Sequence, residues 1–363
     1  MTAHLPPADL HRAVRDVFVR CGLSDDAAGA AAEAVCYADR HGFATHGVNQ
    51  LVNNYAPGLR SGRIPFSASP EVVGGLGAVA VVDGHAGLGL VTMTFAVDKA
   101  AELAREHGVG AVAVRNSGHF GAAGYYSHRL ATRGMVGIAM TNCGAQGVVP
   151  PLGGAVRMLG TNPLSAAVPA GEVAPFVLDM STTVVATGRV KAALRDGEEV
   201  PPGWLVSRSD GSAVTDPQAY VDGSADVRWL GGPLVTGGAK GFGLGLLVDL
   251  LCGPLAGAAF GPRREVLDGG PPEDDTDIGH FVLALDTRAF GDDVEARAGE
   301  LLSTVAACPP AGYATSVTYP GAPEAAKANA AEREGVPLDK PVAAAFAELV
   351  AELGIEAPEG MRP

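Results

Sequence analysis

Arg115-Asn116-Ser117-Gly118-His119-Phe120-Gly121 is the stretch on which the reading of this chain turns. The apolar run before it, residues 110–114, reads as a buried strand. The alanine-rich segment after it, residues 122–132, is helix-forming. A histidine in a glycine-flanked strand-to-helix turn lies where backbone amides and a helix dipole converge. Such a place suits a proton donor held against a polar substrate. Thr45-His46-Gly47 sets a second histidine in a similar context.

Outward from that turn, short apolar runs recur at residues 78–82, 136–140, 165–168, 176–178 and 281–285. Helical stretches at 92–106, 183–194 and 242–251 fall between some of them. The alternation predicts an α/β fold, and because not every strand is followed by a helix the sheet is expected to be mixed. Before it, Leu10, Val14, Val17 and Phe18 share one helical face behind Pro6-Pro7. Ser24, with Asp25 and Asp26, is placed to cap a second helix through residue 38. Residues 55–64, with Pro57, Gly58 and Gly62, read as a link, and residues 262–277 as an exposed loop. Residues 325–334 and 342–353 return to helix. The expected organisation is a helical segment over 1–70, an α/β core over 71–319, and C-terminal helices over 320–363. Those last helices should pack on the first segment, since each alone is too small for a good core.

The formal net charge of −14 argues against nucleic-acid binding, which needs a basic face. Five cysteines without a CxxC pair fit free thiols in a reducing compartment. The longest apolar run, 242–261, contains Asp249 and Pro254 and falls short of the roughly 20 apolar residues a membrane span needs. It reads as a buried helix of a soluble, cytoplasmic protein with no membrane partner.

An unperturbed histidine titrates near ~6.5, so His46 and His119 are candidates to give or take a proton. His85 reads as a turn cap, and His41 and His128 as surface or helix residues. The run Gly237-Gly238-Ala239-Lys240-Gly241-Phe242-Gly243-Leu244-Gly245 offers bared amides and one positive charge to a phosphate. It is neither a P-loop nor a dinucleotide fingerprint, and close helix packing explains its glycines equally well. Asp179, in Leu178-Asp179-Met180-Ser181, is placed to cap a helix or to orient a histidine. Glu273-Asp274-Asp275-Thr276-Asp277 with His280 lacks metal-site spacing and reads as solvated charge, so no metal is expected.

Taken together these turns resemble the type 2 malate/L-lactate dehydrogenases, a family that includes ureidoglycolate and sulfolactate dehydrogenases and piperideine-2-carboxylate reductase. The resemblance runs from about residue 10 to 340. It is carried by Asp39, Thr45-His46-Gly47, Tyr55, Asn116 to Gly121, Gly160-Thr161-Asn162-Pro163-Leu164, Leu178-Asp179-Met180 and Gly238 to Gly243. It implies a nicotinamide-binding fold that is not Rossmann, NAD or NADP as cofactor, and a homodimer with active sites near the subunit interface. It implies cofactor contacts at His46, Asn142, Cys143, Asp179, Met180, Ser181, Lys240 and Gly241. It further implies a proton donor in His46 or His119, with Asp179 as the third catalytic residue, and substrate contacts at Thr45, Gln50, Tyr55 and Thr161. The chain departs from the family pattern at Thr45, usually Ser, and at Gln50, usually an arginine that forks onto a substrate carboxylate. Cys143, Gln146 and Ala322 are further departures. The expected function is NAD(P)-dependent hydride transfer to or from the carbonyl or imine carbon of a small substrate. The alternative is an inactive nucleotide-binding relative.

Overall fold

The computed structural model describes residues 3–267 and 277–361, so residues 273–276 of the acidic run lie outside the described residues. In chain order the elements are β1 (Ala3–Leu5), α1 (Pro7–Arg20), α2 (Asp25–Arg40), α3 (Val48–Gln50), a π-helical turn (Leu51–Tyr55), α4 (Ala56–Arg60), β2 (Glu71–Leu76), β3 (Val79–Asp83), α5 (Gly89–His107), β4 (Val109–Ser117), α6 (Ala123–Ala131), β5 (Met135–Thr141), β6 (Leu164–Val168) and β7 (Phe176–Met180). There follow α7 (Thr187–Asp196), β8 (Leu205–Ser207), β9 (Ala213–Val214), α8 (Gln218–Val221), β10 (Ala225–Val227), α9 (Gly238–Cys252), α10 (Arg264–Leu267), β11 (Ile278–Asp286), α11 (Val294–Ala306), α12 (Ala322–Glu334), β12 (Val336–Leu338) and α13 (Lys340–Glu352).

The first two helices form for the reasons their sequence suggests. Proline sits in the first turn of α1, where its missing N–H costs nothing, and Leu10, Val14, Val17 and Phe18 form its buried stripe. The Ser24 side chain accepts from Ala27 N at 3.4 Å and starts α2.

The main sheet has the order β2-β3-β4-β11-β5-β6-β7. β3 and β4 are parallel and joined by α5, whereas every other neighbouring pair is antiparallel, so the sheet is mixed, as expected. The late strand β11 inserts between β4 and β5 and carries His280 to a position opposite Val114 and Thr141. One apolar cluster runs from Leu10 and Phe18 of α1 through Leu90 and Met93 of α5 and Val82, Val112 and Val282 of the sheet to Phe346 of α13. Each such side chain contributes about 1.5–3 kcal/mol on burial. β1 pairs antiparallel with β12, which ties the two ends of the chain together.

Several expectations need correction. The link expected at 55–64 is helical through Arg60, because the π turn and α4 continue directly from α3. The helix expected from residue 183 begins at Thr187, after Thr183 is taken into a bridge with Trp229. The glycine run does not precede α9 but forms its first turns. Gly241 is buried there, and a Cβ on it would lie 2.4 Å from Leu230 O. Gly241 lets the helix lie against the Leu230 backbone, and Gly245 lets it lie against the Trp229 ring. The apolar run 242–261 is buried on one flank alone: Val248 and Cys252 face inward, while Leu247 and Leu250 are about half exposed, at 47% and 51%. Strand β2 and the small sheet β10-β8-β9 were not expected, since Gly74-Gly75 interrupts the alternation and β8 to β10 are three residues or fewer.

Candidate active site

His46 lies in the turn between α2 and α3, and a buried acid shapes that turn. Asp39 ends α2 with its Oδ2 accepting from Val48 N at 2.7 Å. Gly47 passes so close that a Cβ on it would sit 2.1 Å from Asp39 Oδ2. Thr45 Oγ1 is 2.9 Å from His46 Nδ1. Gln50 Nε2 donates to Thr45 O at 3.1 Å, and Gln50 Oε1 accepts from Asn54 Nδ2 at 3.5 Å. The Gln50 amide thus braces the histidine turn from the next helix.

His119 leaves the end of β4 in a turn completed by Gly121 at φ +80°, a backbone region that favours glycine. Its Nδ1 lies 2.7 Å from the Tyr55 hydroxyl and 3.4 Å from Gly121 N. A backbone N–H can only donate, so Nδ1 accepts from both groups and the neutral ring carries its proton on Nε2. The His46 and His119 rings lie 5.9 Å apart, 20° from parallel. Burial lowers the pKa of His46 below the ordinary imidazole value. Burial, and then the neighbouring His46, pull His119 down to about 3. Both rings are neutral at pH 7, and a proton on one disfavours a proton on the other.

Behind this pair lies a residue the sequence reading assigned elsewhere. His280 is not part of a solvated acidic loop. It is fully buried, with Nδ1 2.8 Å from Thr141 Oγ1 and Nε2 2.9 Å from Ser117 Oγ. Thr141 spends its hydroxyl hydrogen on the carbonyls of Asn142 and Gly279, so His280 Nδ1–H donates to Thr141 and Ser117 donates to Nε2. The His280 ring stacks on Phe120 at 4.8 Å, and Tyr126 closes the other side of Phe120 at 4.8 Å. Burial, and then His119, push His280 to about 3. Asp277 is not solvated charge either: it accepts from Asn116 N at 2.5 Å and from Ala259 N at 2.8 Å. Only the pairing of β11 with both β4 and β5 brings these groups under the site, and the one sequence signal was a histidine at the start of an apolar run.

A cavity of about 170 Å³ opens beside the two imidazoles, lined among others by His46, Gln50, His119, Asn142, Cys143 and Thr161. Asn54, Thr141, Gln146 and Ile278 also line it, none of which was singled out for substrate or cofactor from the sequence. A second cavity of about 130 Å³ shares His119 and Asn54 with the first and holds Tyr55 and Arg63. Asp179, Met180, Ser181, Lys240 and Gly241 line neither. Asp179 Oδ2 accepts from Gly124 N at 2.7 Å, so its carboxylate braces the first turn of α6 and not an imidazole. Burial raises its pKa to about 6, against the lowering by Gly124. Lys240 is exposed in the first turn of α9. The Asn142 amide is fully used: Nδ2 donates to Asp249 Oδ1 at 3.0 Å and Ala259 O at 2.8 Å, and Oδ1 accepts from Gly144 N and Gly279 N, each at 3.0 Å. Its side chain is therefore structural, and Asn142 and Cys143 both line the first cavity. Among the described residues no group of three or more His, Cys, Asp or Glu is disposed to hold a metal ion.

Residues 5–347 match the family model of the malate/L-lactate dehydrogenases. The chain belongs to this family. Within it, the malate/(S)-sulfolactate dehydrogenase of Methanothermus fervidus is 34% identical over 342 residues, 92% of this chain and 94% of that protein. The Δ1-pyrroline-2-carboxylate reductase of Ancylobacter novellus is 31% identical over 78% of this chain and 80% of its own. The crystal structure of malate dehydrogenase from Entamoeba histolytica superposes with a TM-score of 0.90 at 28% identity, covering 98% of this chain and 99% of that one. This malate/L-lactate dehydrogenase family member is a dehydrogenase/reductase, and its family implies a nicotinamide cofactor.

Proposed function

We propose that the chain interconverts a small 2-hydroxy acid, or its cyclic amino acid counterpart, with the corresponding 2-oxo acid or imine, using NAD or NADP. The observation that carries this reading is the pair of neutral imidazoles 5.9 Å apart on the wall of one cavity. The bound nicotinamide supplies or takes up the hydride. Asn162 Oδ1 supports the fit: it is buried without a partner, in the same turn as Thr161 and beside Cys143, and accepts from an amide such as that of nicotinamide. Exposed Lys240 suits a cofactor phosphate, and Met180 and Ser181 stand at the end of the edge strand β7.

The chain's own residues then divide the proton chemistry. His46 gives a proton to the substrate oxygen or nitrogen in reduction and takes it back in oxidation. His119 stays neutral, held by Tyr55 and Gly121, and offers Nε2–H to the same atom. Thr45 keeps the His46 ring in place. With both rings neutral at pH 7 the enzyme rests in its base form, and an anionic substrate nearby raises the imidazole pKa toward protonation.

We read the helical segments 1–70 and 320–363 as one layer flanking the catalytic core, and the half-exposed Leu247, Leu250 and Leu255 as part of a homodimer surface. No described helix is long and apolar enough to cross a membrane.

The decisive experiment assays oxo acids and cyclic imines with both cofactors in the wild type, His46→Ala and His119→Ala. A general acid removed from a working site slows the chemical step by roughly 10²–10⁴-fold. Wild-type rates in the His46 variant would remove His46 from the proton-transfer role. Cofactor binding without turnover of any substrate would favour an inactive relative.

A further inference from the structure

The cavity beside the imidazoles offers a substrate no fixed positive charge: among the described residues that line it there is no lysine or arginine. It offers side-chain amides instead, from Gln50, Asn54, Asn142 and Gln146. Three of these are held at both ends. Gln50 Nε2 donates to Thr45 O, and its Oε1 accepts from Asn54 Nδ2. Asn54 Oδ1 in turn accepts from Arg63 Nη2 at 2.5 Å. The Asn142 amide is taken by Asp249, Ala259, Gly144 and Gly279.

Gln146 differs. Its half-buried side chain makes no hydrogen bond with the described residues, although its backbone is fixed on both sides. Gln146 N donates to Cys143 O at 3.2 Å, Gly144 N is held by Asn142 Oδ1, and a Cβ on Gly147 would lie 2.3 Å from Arg157 O. A set backbone thus carries an uncommitted carboxamide, with two N–H donors and one carbonyl acceptor, on the cavity wall. The cavity is about 170 Å³, well below the ~300–1,000 Å³ usual for a ligand pocket, so a substrate against the imidazoles fills it and meets this wall. A carboxylate accepts from Nε2–H. A carboxamide accepts from Nε2–H and donates to Oε1, so an amide reads either group where a cation would select the anion. We propose that Gln146 is the specificity-determining residue of this enzyme: its neutral carboxamide holds the carboxylate of a 2-oxo acid and accepts a carboxamide in its place.

The inference rests on the proposed oxidoreductase reading, and its test separates the two. Pyruvate and pyruvamide are the test pair. The wild type should reduce them with kcat/KM values within about 10-fold of each other, where a cationic fork would separate them by about 100-fold or more. In Gln146→Leu, KM for both should rise, by about 10-fold or more for the acid, with a smaller change in kcat. In Gln146→Glu, like charge should reject pyruvate by about 100-fold while pyruvamide stays within a few-fold of the wild type. That split is the signature of contact, because a merely structural glutamine would lower both substrates alike. A wild type that prefers the acid by about 100-fold, or a Gln146→Glu variant that treats the two substrates alike, overturns the inference.

Oxamate, which joins a carboxylate to a carboxamide, is titrated calorimetrically into the same three proteins with saturating NADH and then NADPH, so recognition is read even without turnover. Oxamate binding by the wild type, weakened about 10-fold or more in Gln146→Leu, supports the inference even if neither substrate is reduced. Equal oxamate affinity in the three proteins, or no oxamate binding by the wild type, overturns it.

Discussion

Tyr55, wholly buried, donates its hydroxyl hydrogen to Nδ1 of His119 across 2.7 Å. The bond joins the π-helical turn of the N-terminal segment to the end of β4, 64 residues later. It also fixes which nitrogen of His119 faces the substrate. Tyr55→Phe removes this bond and leaves packing intact. We expect kcat to fall about 10-fold or more, with cofactor affinity little changed and a stability loss of about 1 kcal/mol. Steady-state kinetics and denaturant unfolding of one preparation measure both; an unchanged kcat would mean that the tautomer is set by other groups.

Gly47→Ala should be far more damaging than a glycine-to-alanine change usually is. The new methyl would lie 2.1 Å from the Asp39 carboxylate, which is itself buried and bound to Val48 N. Either the acid or the His46 turn must move. We expect a destabilisation of about 3 kcal/mol or more, or a folded protein with kcat reduced at least ~100-fold through misplacement of His46. Wild-type melting and turnover together would contradict the geometry of this turn.

Asn142→Ala leaves four groups without their amide partner: the buried Asp249 carboxylate, Ala259 C=O, Gly144 N–H and Gly279 N–H. Burial already holds Asp249 up at about 6, with Asn142 pulling the other way. Loss of that donor should cost roughly 3 kcal/mol or more. Differential scanning calorimetry at pH 7 is the check, and a melting temperature within a degree of the wild type would refute it.

The pH dependence of stability has opposing parts. His119 and His280, both lowered to about 3, contribute stability that is present above ~6.5 and lost as pH falls toward 3. Asp39, raised by burial to about 8, has the opposite sign: its contribution is present below ~3.9 and lost as pH rises through 8. Asp39→Asn keeps an acceptor for Val48 N and cannot ionise. The variant should therefore gain on the wild type as pH is raised from 6 to 9. Thermal melts at several pH values test this, and parallel curves for the two proteins would rule out an Asp39 that ionises late.

Much of the architecture was legible because it is local. The stripe Leu10, Val14, Val17, Phe18, the Ser24 cap and the apolar runs that became β3 to β7 and β11 depend on periodicity and short-range chemistry. What escaped was what local signals do not encode. β2 is exposed along its whole length and so has no alternating pattern, and β8 to β10 are too short to show one. The glycines of α9 looked like a phosphate loop because glycine marks both bared amides and close packing, and sequence alone cannot tell which neighbour arrives.

The sequence by itself determined a mixed α/β chain with two histidines in glycine-bordered turns, since helix caps, strand runs and turn residues act within a few positions of themselves. Tertiary structure decided what those histidines meet. Tyr55 reaches His119, Gln50 is spent on Thr45, Asn142 is locked against Asp249, and His280 bridges Ser117 and Thr141. Apart from the Gln50 bond, these contacts join residues 64 to 163 positions apart. They exist because β11 pairs between β4 and β5 and because the N-terminal helices pack on the sheet, and hydrogen-bond partners so distant are chosen by packing, not by neighbouring residues.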